Sequence, residues 1–160
     1  MKKLAHLFST VFFAGYIPFA PGTFASLIGL LFVYTLSNIS VLVYFIIGLF
    51  IFFIGFLSID LSLKDLKTDD PKQIVIDEVM GIYITFFAVK KTLPILCIGF
   101  LLFRFFDITK VFYIKKLQKI QGTMGIIIDD IVSGLLANII LNIISIDLCI
   151  NDKWGQLYFL

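Results

Sequence analysis

Two pairs of adjacent carboxylates sit inside apolar runs of this chain. Asp77 and Glu78 follow Ile74-Val75-Ile76, and Asp129 and Asp130 follow Ile126-Ile127-Ile128. A third polar group, Arg104, Asp107 and Lys110, interrupts another apolar stretch at intervals of three residues, so it forms one face of a helix. An ionised carboxylate is costly to remove from water, so adjacent ones require a cation, a metal or a polar cavity. The oxygen donors of Asp77, Glu78, Asp107, Asp129 and Asp130 suit a hard cation such as Mg²⁺ or Mn²⁺. Arg104 and Lys110 add positive charge beside them, and arginine matches phosphate oxygens bidentately. Together these groups point to phosphoryl chemistry at the level of a lipid headgroup. A path for an ion or small solute, and simple ion pairing between helices, are the competing readings. His6 is the only histidine and lies near no motif, so a zinc centre is not expected. Cys97 and Cys149 lie far apart in apolar segments and read as buried thiols. Neither a G-x-S-x-G nor a Walker sequence is present.

The scaffold that must bring these groups together is hydrophobic. Apolar residues make up 60% of the chain, charged residues 15%, and mean hydropathy is +1.06. A soluble domain has about a quarter charged residues. The composition therefore implies an all-α, multi-pass integral membrane bundle with short interfacial helices, folded as a single domain over 1–160. A net charge of +2 is too small to suggest nucleic acid. Residues 4–14 read as an amphipathic segment at the membrane interface rather than a cleaved signal. Gly15 to Thr23 contains two prolines and two glycines and forms a structured loop, with Thr23 or Ser26 capping the next helix. Its amides and hydroxyl also suit an anion.

A hairpin is expected over 24–37 and 41–60. Its first arm is only about 21 Å long, so it is short or partly re-entrant. Asp60 to Lys72 is a hydrophilic linker. The next helix spans 72–89, with Pro71 at its start or in a turn, Asp70 as its cap, and Asp77 and Glu78 soon after. Gly81 shares a face with Asp77 and permits close approach of a backbone or ligand. A helix at 94–109 carries Arg104 and Asp107. Residues 111–121 form a basic amphipathic segment suited to anionic lipid, and a last helix runs from 124–126 to about 146. Trp154 and Tyr158 in the tail are interfacial residues.

Charge orients the bundle. With crossings at 24–37, 41–60, 74–89, 94–106 and 131–150 and the N-terminus inside, ten basic residues fall inside: Lys2, Lys3, Lys64, Lys67, Lys72, Arg104, Lys110, Lys115, Lys116 and Lys119. Lys90, Lys91 and Lys153 fall outside. The bias satisfies the positive-inside rule and places all three polar groups at the cytoplasmic face.

Four ordered stretches also resemble the motifs of a known family, phosphatidylglycerophosphatase A. They are Pro21-Gly22-Thr23-Phe24-Ala25-Ser26-Leu27, then Ile74-Val75-Ile76-Asp77-Glu78-x-x-Gly81, then Phe103-Arg104-x-x-Asp107-x-x-Lys110, and last Gly122-x-Met124-Gly125-Ile126-x-Ile128-Asp129-Asp130-Ile131-Val132-x-Gly134. Lys64-Asp65 with Asp69 and Asp70 resembles the family's polar linker, so the likeness covers nearly the whole chain. Val111 stands where the family usually has proline, and Thr123 where it usually has a second glycine; neither change removes a charge. The resemblance implies a Mg²⁺-dependent enzyme of the bacterial inner membrane that hydrolyses the terminal phosphate of phosphatidylglycerophosphate, giving phosphatidylglycerol. It further implies that Asp77, Glu78, Asp129 and Asp130 hold the metal. Arg104 and Lys110 would bind the phosphate and stabilise its charge, and Asp107 would orient Arg104 or the attacking water. Thr23 and Ser26 would contact phosphate or glycerol, with Asp65, Asp69 and Asp70 as auxiliary groups. Water is the expected nucleophile, and an aspartyl phosphate is the alternative.

Overall fold

The computed structural model describes residues 2–66, 71–109 and 122–157, and the side chains among them except those of 66 and 146–157. The described residues are helical: α1 (Lys2–Ser9), a 3₁₀ turn (Ala14–Tyr16), α2 (Pro21–Thr35), α3 (Val41–Leu66), α4 (Ile76–Thr85), α5 (Leu93–Thr109) and α6 (Thr123–Leu157).

Several boundaries differ from those expected. Pro21 opens α2, where its fixed φ suits a first helical position, and Ala20 before it is left-handed at φ 47°. Neither Thr23 nor Ser26 caps this helix; Ser26 lies a turn inside, with its hydroxyl 2.8 Å from the Gly22 carbonyl. Helix α3 continues past residue 60 to Leu66, so the linker is shorter than its composition suggested. Contact with α1 supports the extension: Ser62 is buried with its Oγ 2.9 Å from Ser9 Oγ.

Pro71 does not begin α4. The stretch before that helix turns instead, with Ile74 N donating to Pro71 O and Val75 N to Ser9 O, each at 2.9 Å. At the other end, Asn138 Nδ2 on α6 donates to the carbonyls of Thr85 at 3.0 Å and Phe87 at 2.8 Å. These bonds satisfy carbonyls that a finished helix leaves without partners. Ala88 follows at φ 56°, a left-handed conformation that stops the helix.

Helix α4 is therefore only 10 residues long, about 15 Å. It lies at the centre, in contact with α2, α3, α5 and α6, and Val79 to Tyr83 and Thr85 are buried. Neighbours on paired positions show that α2, α4 and α6 run the same way while α3 and α5 run oppositely. Gly22 faces Glu78 and Gly29 faces Val79 and Ile82; Gly81 faces Asp130, and Gly99 on α5 faces Phe86 and Leu141. Far from the carboxylates, Tyr44 and Tyr83 stack at 4.2 Å. Tyr44 OH donates to Tyr83 O at 2.8 Å and Tyr83 OH to Tyr44 O at 2.6 Å, so both buried hydroxyls are satisfied.

Val41–Asp65 and Thr123–Ser145 are long and apolar enough to cross a membrane, while α2 is a shorter apolar helix. A bilayer core is about 30 Å thick, so α4 cannot span it as a helix. Two segments meet the length test among the described residues, against five predicted crossings. Cys97, expected to be buried, is exposed on α5.

Candidate active site

The beginnings of α2, α4 and α6 meet the end of α5 at one end of the bundle. α4 brings Asp77 and Glu78 in its first turn, α6 brings Asp129 and Asp130, α5 brings Arg104 and Asp107, and α2 brings Ser26. Three helix N-termini lie at this end, and their exposed amides and dipoles favour negative charge.

Close packing makes the convergence possible. A Cβ at Gly134 would lie 2.4 Å from Gly81 O, and one at Gly81 would lie 2.8 Å from Asp130 O. Glycine at both positions lets α4 and α6 touch through their backbones, as expected for Gly81. Gly22 serves the same end on α2, because a Cβ there would lie 2.0 Å from Glu78 Oε1.

Arg104 is the hub. Its Nη1 donates to Glu78 Oε2 at 2.6 Å and to Asp107 Oδ2 at 2.8 Å, with these side chains only 15–16% exposed. The same nitrogen is 3.3 Å from Ser26 Oγ, which lies 3.1 Å from Glu78 Oε2. Arg104 therefore holds two carboxylates from different helices in one place. Glu78, Asp107 and Asp130 each bring an oxygen into a group whose members all lie within 4.8 Å of one another. Asp77 acts electrostatically on Asp130, and its Oδ1 is buried with no hydrogen-bond partner among the described residues.

Charge and donor chemistry test whether a metal suits this site. Among the described residues, Asp77, Glu78, Asp107 and Asp130 face one cation, Arg104. A small divalent ion prefers oxygen ligands and would offset the excess, so the donor set fits Mg²⁺.

The other expected site residues fall as follows. Thr23 lies in the first turn of α2, half-buried, beside the glycine that abuts Glu78. Asp129 is half-buried on α6 next to Asp130. Asp107 enters the carboxylate group itself, as its place among the five oxygen donors suggested, although the resemblance implied a metal set of Asp77, Glu78, Asp129 and Asp130 without it. Asp65 is not brought to this group; it is exposed on α3 and paired with Lys2 at 2.5 Å. Asp69, Asp70 and Lys110 lie outside the described residues. Sequence reasoning missed Gly22 and Asn138. The signal for Asn138 was an amide in an apolar run; Gly22 stood in the first of the four motifs, but nothing in the sequence pointed to its contact with Glu78.

Residues 7–145 match the family described as Phosphatidylglycerophosphatase A. The chain is 34% identical over 148 residues to phosphatidylglycerophosphatase A of Haemophilus influenzae, covering 88% of this chain and 91% of that protein. It is 33% identical over 139 residues to the Escherichia coli protein of the same name, covering 86% of this chain and 81% of the relative. A Bacteroides thetaiotaomicron protein, provisionally named a phosphatidylinositol-3-phosphatase, is 30% identical over 143 residues, covering 84% of this chain and 89% of its own length. No solved structure matches the chain. These likenesses give no support to the solute-pathway reading. The chain belongs to the phosphatidylglycerophosphatase A family, a family of lipid phosphatases.

Proposed function

We propose that this protein hydrolyses the terminal phosphomonoester of phosphatidylglycerophosphate to phosphatidylglycerol, using Mg²⁺ held by Glu78, Asp107 and Asp130. Asp77 and Asp129 are the adjacent carboxylates. The observation that carries the reading is the Glu78–Asp107–Asp130 group around Arg104, in a chain of this family. When bound, Mg²⁺ supplies charge neutralisation at the phosphoryl oxygens and lowers the pKa of water.

The protein's own groups do the rest. The guanidinium of Arg104, fixed by Glu78 and Asp107, stabilises charge on the phosphoryl oxygens as the ester breaks. Ser26 steadies Glu78, and Lys110 adds a second cation for phosphate. The α2 N-terminus, with Thr23, favours the dianion through its amides. A carboxylate of the group takes the proton from the attacking water. The alternative, direct attack by an aspartate, would leave a phosphorylated enzyme that can be trapped. The chain is placed as a multi-pass protein of the bacterial inner membrane with the site facing the cytoplasm, supported by the charge bias and by α3 and α6.

The test is phosphate release from phosphatidylglycerophosphate in detergent. Wild type should be active with Mg²⁺ and inactive in EDTA, and Asp130→Asn should lose about a hundredfold or more. Equal rates for wild type and Asp130→Asn would overturn the site. Faster release from phosphatidylinositol 3-phosphate would redirect the substrate to the one suggested by the Bacteroides relative's name.

A further inference from the structure

A cavity of about 300 Å³ lies between α3, α4 and α6, lined by Phe45, Leu49, Met80, Ile84, Phe87 and Leu135, with Tyr83 and Asn138 as its polar members. We propose that this cavity seats one acyl chain of the lipid substrate, an inference that rests on the lipid-phosphatase reading above.

Its chemistry excludes a polar guest. The Tyr83 hydroxyl is taken by Tyr44 O, and Asn138 Nδ2 by the carbonyls of Thr85 and Phe87. What remains for a ligand is hydrocarbon surface. Size selects among apolar guests. Ligand pockets start at about 300 Å³, whereas a helix with its side chains is about 10 Å across, so a slender chain fits and a helix from a second copy does not.

Position ties the cavity to the site. Met80 and Ile84 stand three and seven residues after Asp77 on α4, so they share its face. Asp77 to Phe87 covers about 15 Å along that direction, a length suited to an extended acyl chain below a headgroup at the carboxylates. Two of the walls, α3 and α6, are the helices long and apolar enough to cross a membrane, and Phe45, Leu49 and Leu135 on them are exposed, so the cavity borders an apolar outer surface. Met80 lies at the end nearest the carboxylates, and its unbranched side chain can repack around a guest.

Two measurements test this. The purified full chain, in lipid nanodiscs, is photolysed with a diacyl phosphatidylglycerol bearing a diazirine at the end of one acyl chain, and labelled residues are mapped by mass spectrometry. Label should concentrate at Leu49, Ile84 and Leu135. In parallel, Leu49→Trp and Leu135→Trp fill the cavity from positions that are 43% and 48% exposed, so folding should tolerate them. Each should raise KM for long-chain phosphatidylglycerophosphate by about fivefold and leave the dihexanoyl substrate within about twofold. Leu31→Trp, on an exposed face of α2 away from the cavity, should match wild type on both. Label spread evenly over exposed faces, or Trp variants that affect both substrates alike, would overturn the proposal while leaving the activity standing. Label at the cavity in a protein that releases no phosphate from either substrate would uphold the chain site and overturn the activity.

Discussion

Arg104 shows how one side chain can gather a site. Its Nη1 bridges Glu78 and Asp107, which belong to different helices and sit 29 residues apart in the chain. Replacing it leaves two largely buried carboxylates without their cation, which costs about 3–5 kcal/mol. Arg104→Ala should therefore lower thermal stability as well as phosphate release, and added Mg²⁺ should recover part of the stability by linkage. Arg104→Lys keeps the charge but loses the planar fork, so it should fold near normally and turn over about tenfold slower or worse. A Lys variant with wild-type kcat would show that point charge suffices. The residue types and the spacing of Arg104 and Asp107 were legible because polar groups stand out in apolar runs. Their pairing with each other, three residues apart on one helix, was legible as well; the pairing of Arg104 with Glu78 was not, since it depends on how helices rotate against one another.

At the scale of elements, backbone contact between α4 and α6 sets the site. A single methyl at Gly134 would meet Gly81 O, and rigid backbone cannot move aside cheaply. Gly134→Ala should cost about 1–3 kcal/mol and displace Asp130 from Glu78, so melting temperature and activity fall together. Gly22→Ala differs, because the atom in the way is the end of the Glu78 side chain. It should melt near wild type yet lose most activity, and equal losses in both readouts would contradict that separation. The Tyr44–Tyr83 lock lies at the other end of α4. Tyr83→Phe removes one of its two hydrogen bonds, so a melt should show about 1 kcal/mol lost with kcat unchanged. Helix positions were readable from polar breaks and prolines, but lengths were not. The end of α4 is decided by Asn138, which lies 53 residues beyond Thr85.

For the whole molecule, one end of the bundle gathers the chemistry, and the proposed topology, which rests on the charge bias, is tested by labelling from each side. In a chain lacking Cys97 and Cys149, Lys72→Cys should react with an impermeant maleimide only after the cytoplasmic side is opened. Lys90→Cys should react from the opposite side, and labelling of both from one side would reverse or refute the topology. Helix α4 complicates any simple count of crossings, because it is too short to span. Its packing among α2, α3, α5 and α6 explains how so short a helix sits there: protein covers Val79 to Tyr83 and Thr85, and Asn138 satisfies carbonyls at its C-terminal end.

By itself the sequence determined the hydrophobic helical character, the carboxylate and arginine groups, and the family to which they belong. Those properties are local: composition, spacing along one helix and short ordered motifs. Only the tertiary structure decided that Asp107 joins Glu78 and Asp130 while Asp65 turns away to Lys2. It also decided that an apolar cavity opens along the face of α4 that begins at Asp77. Both depend on the relative rotation and depth of helices. Backbone contact at Gly81 and Gly134 and side-chain packing fix these, and no single segment encodes them.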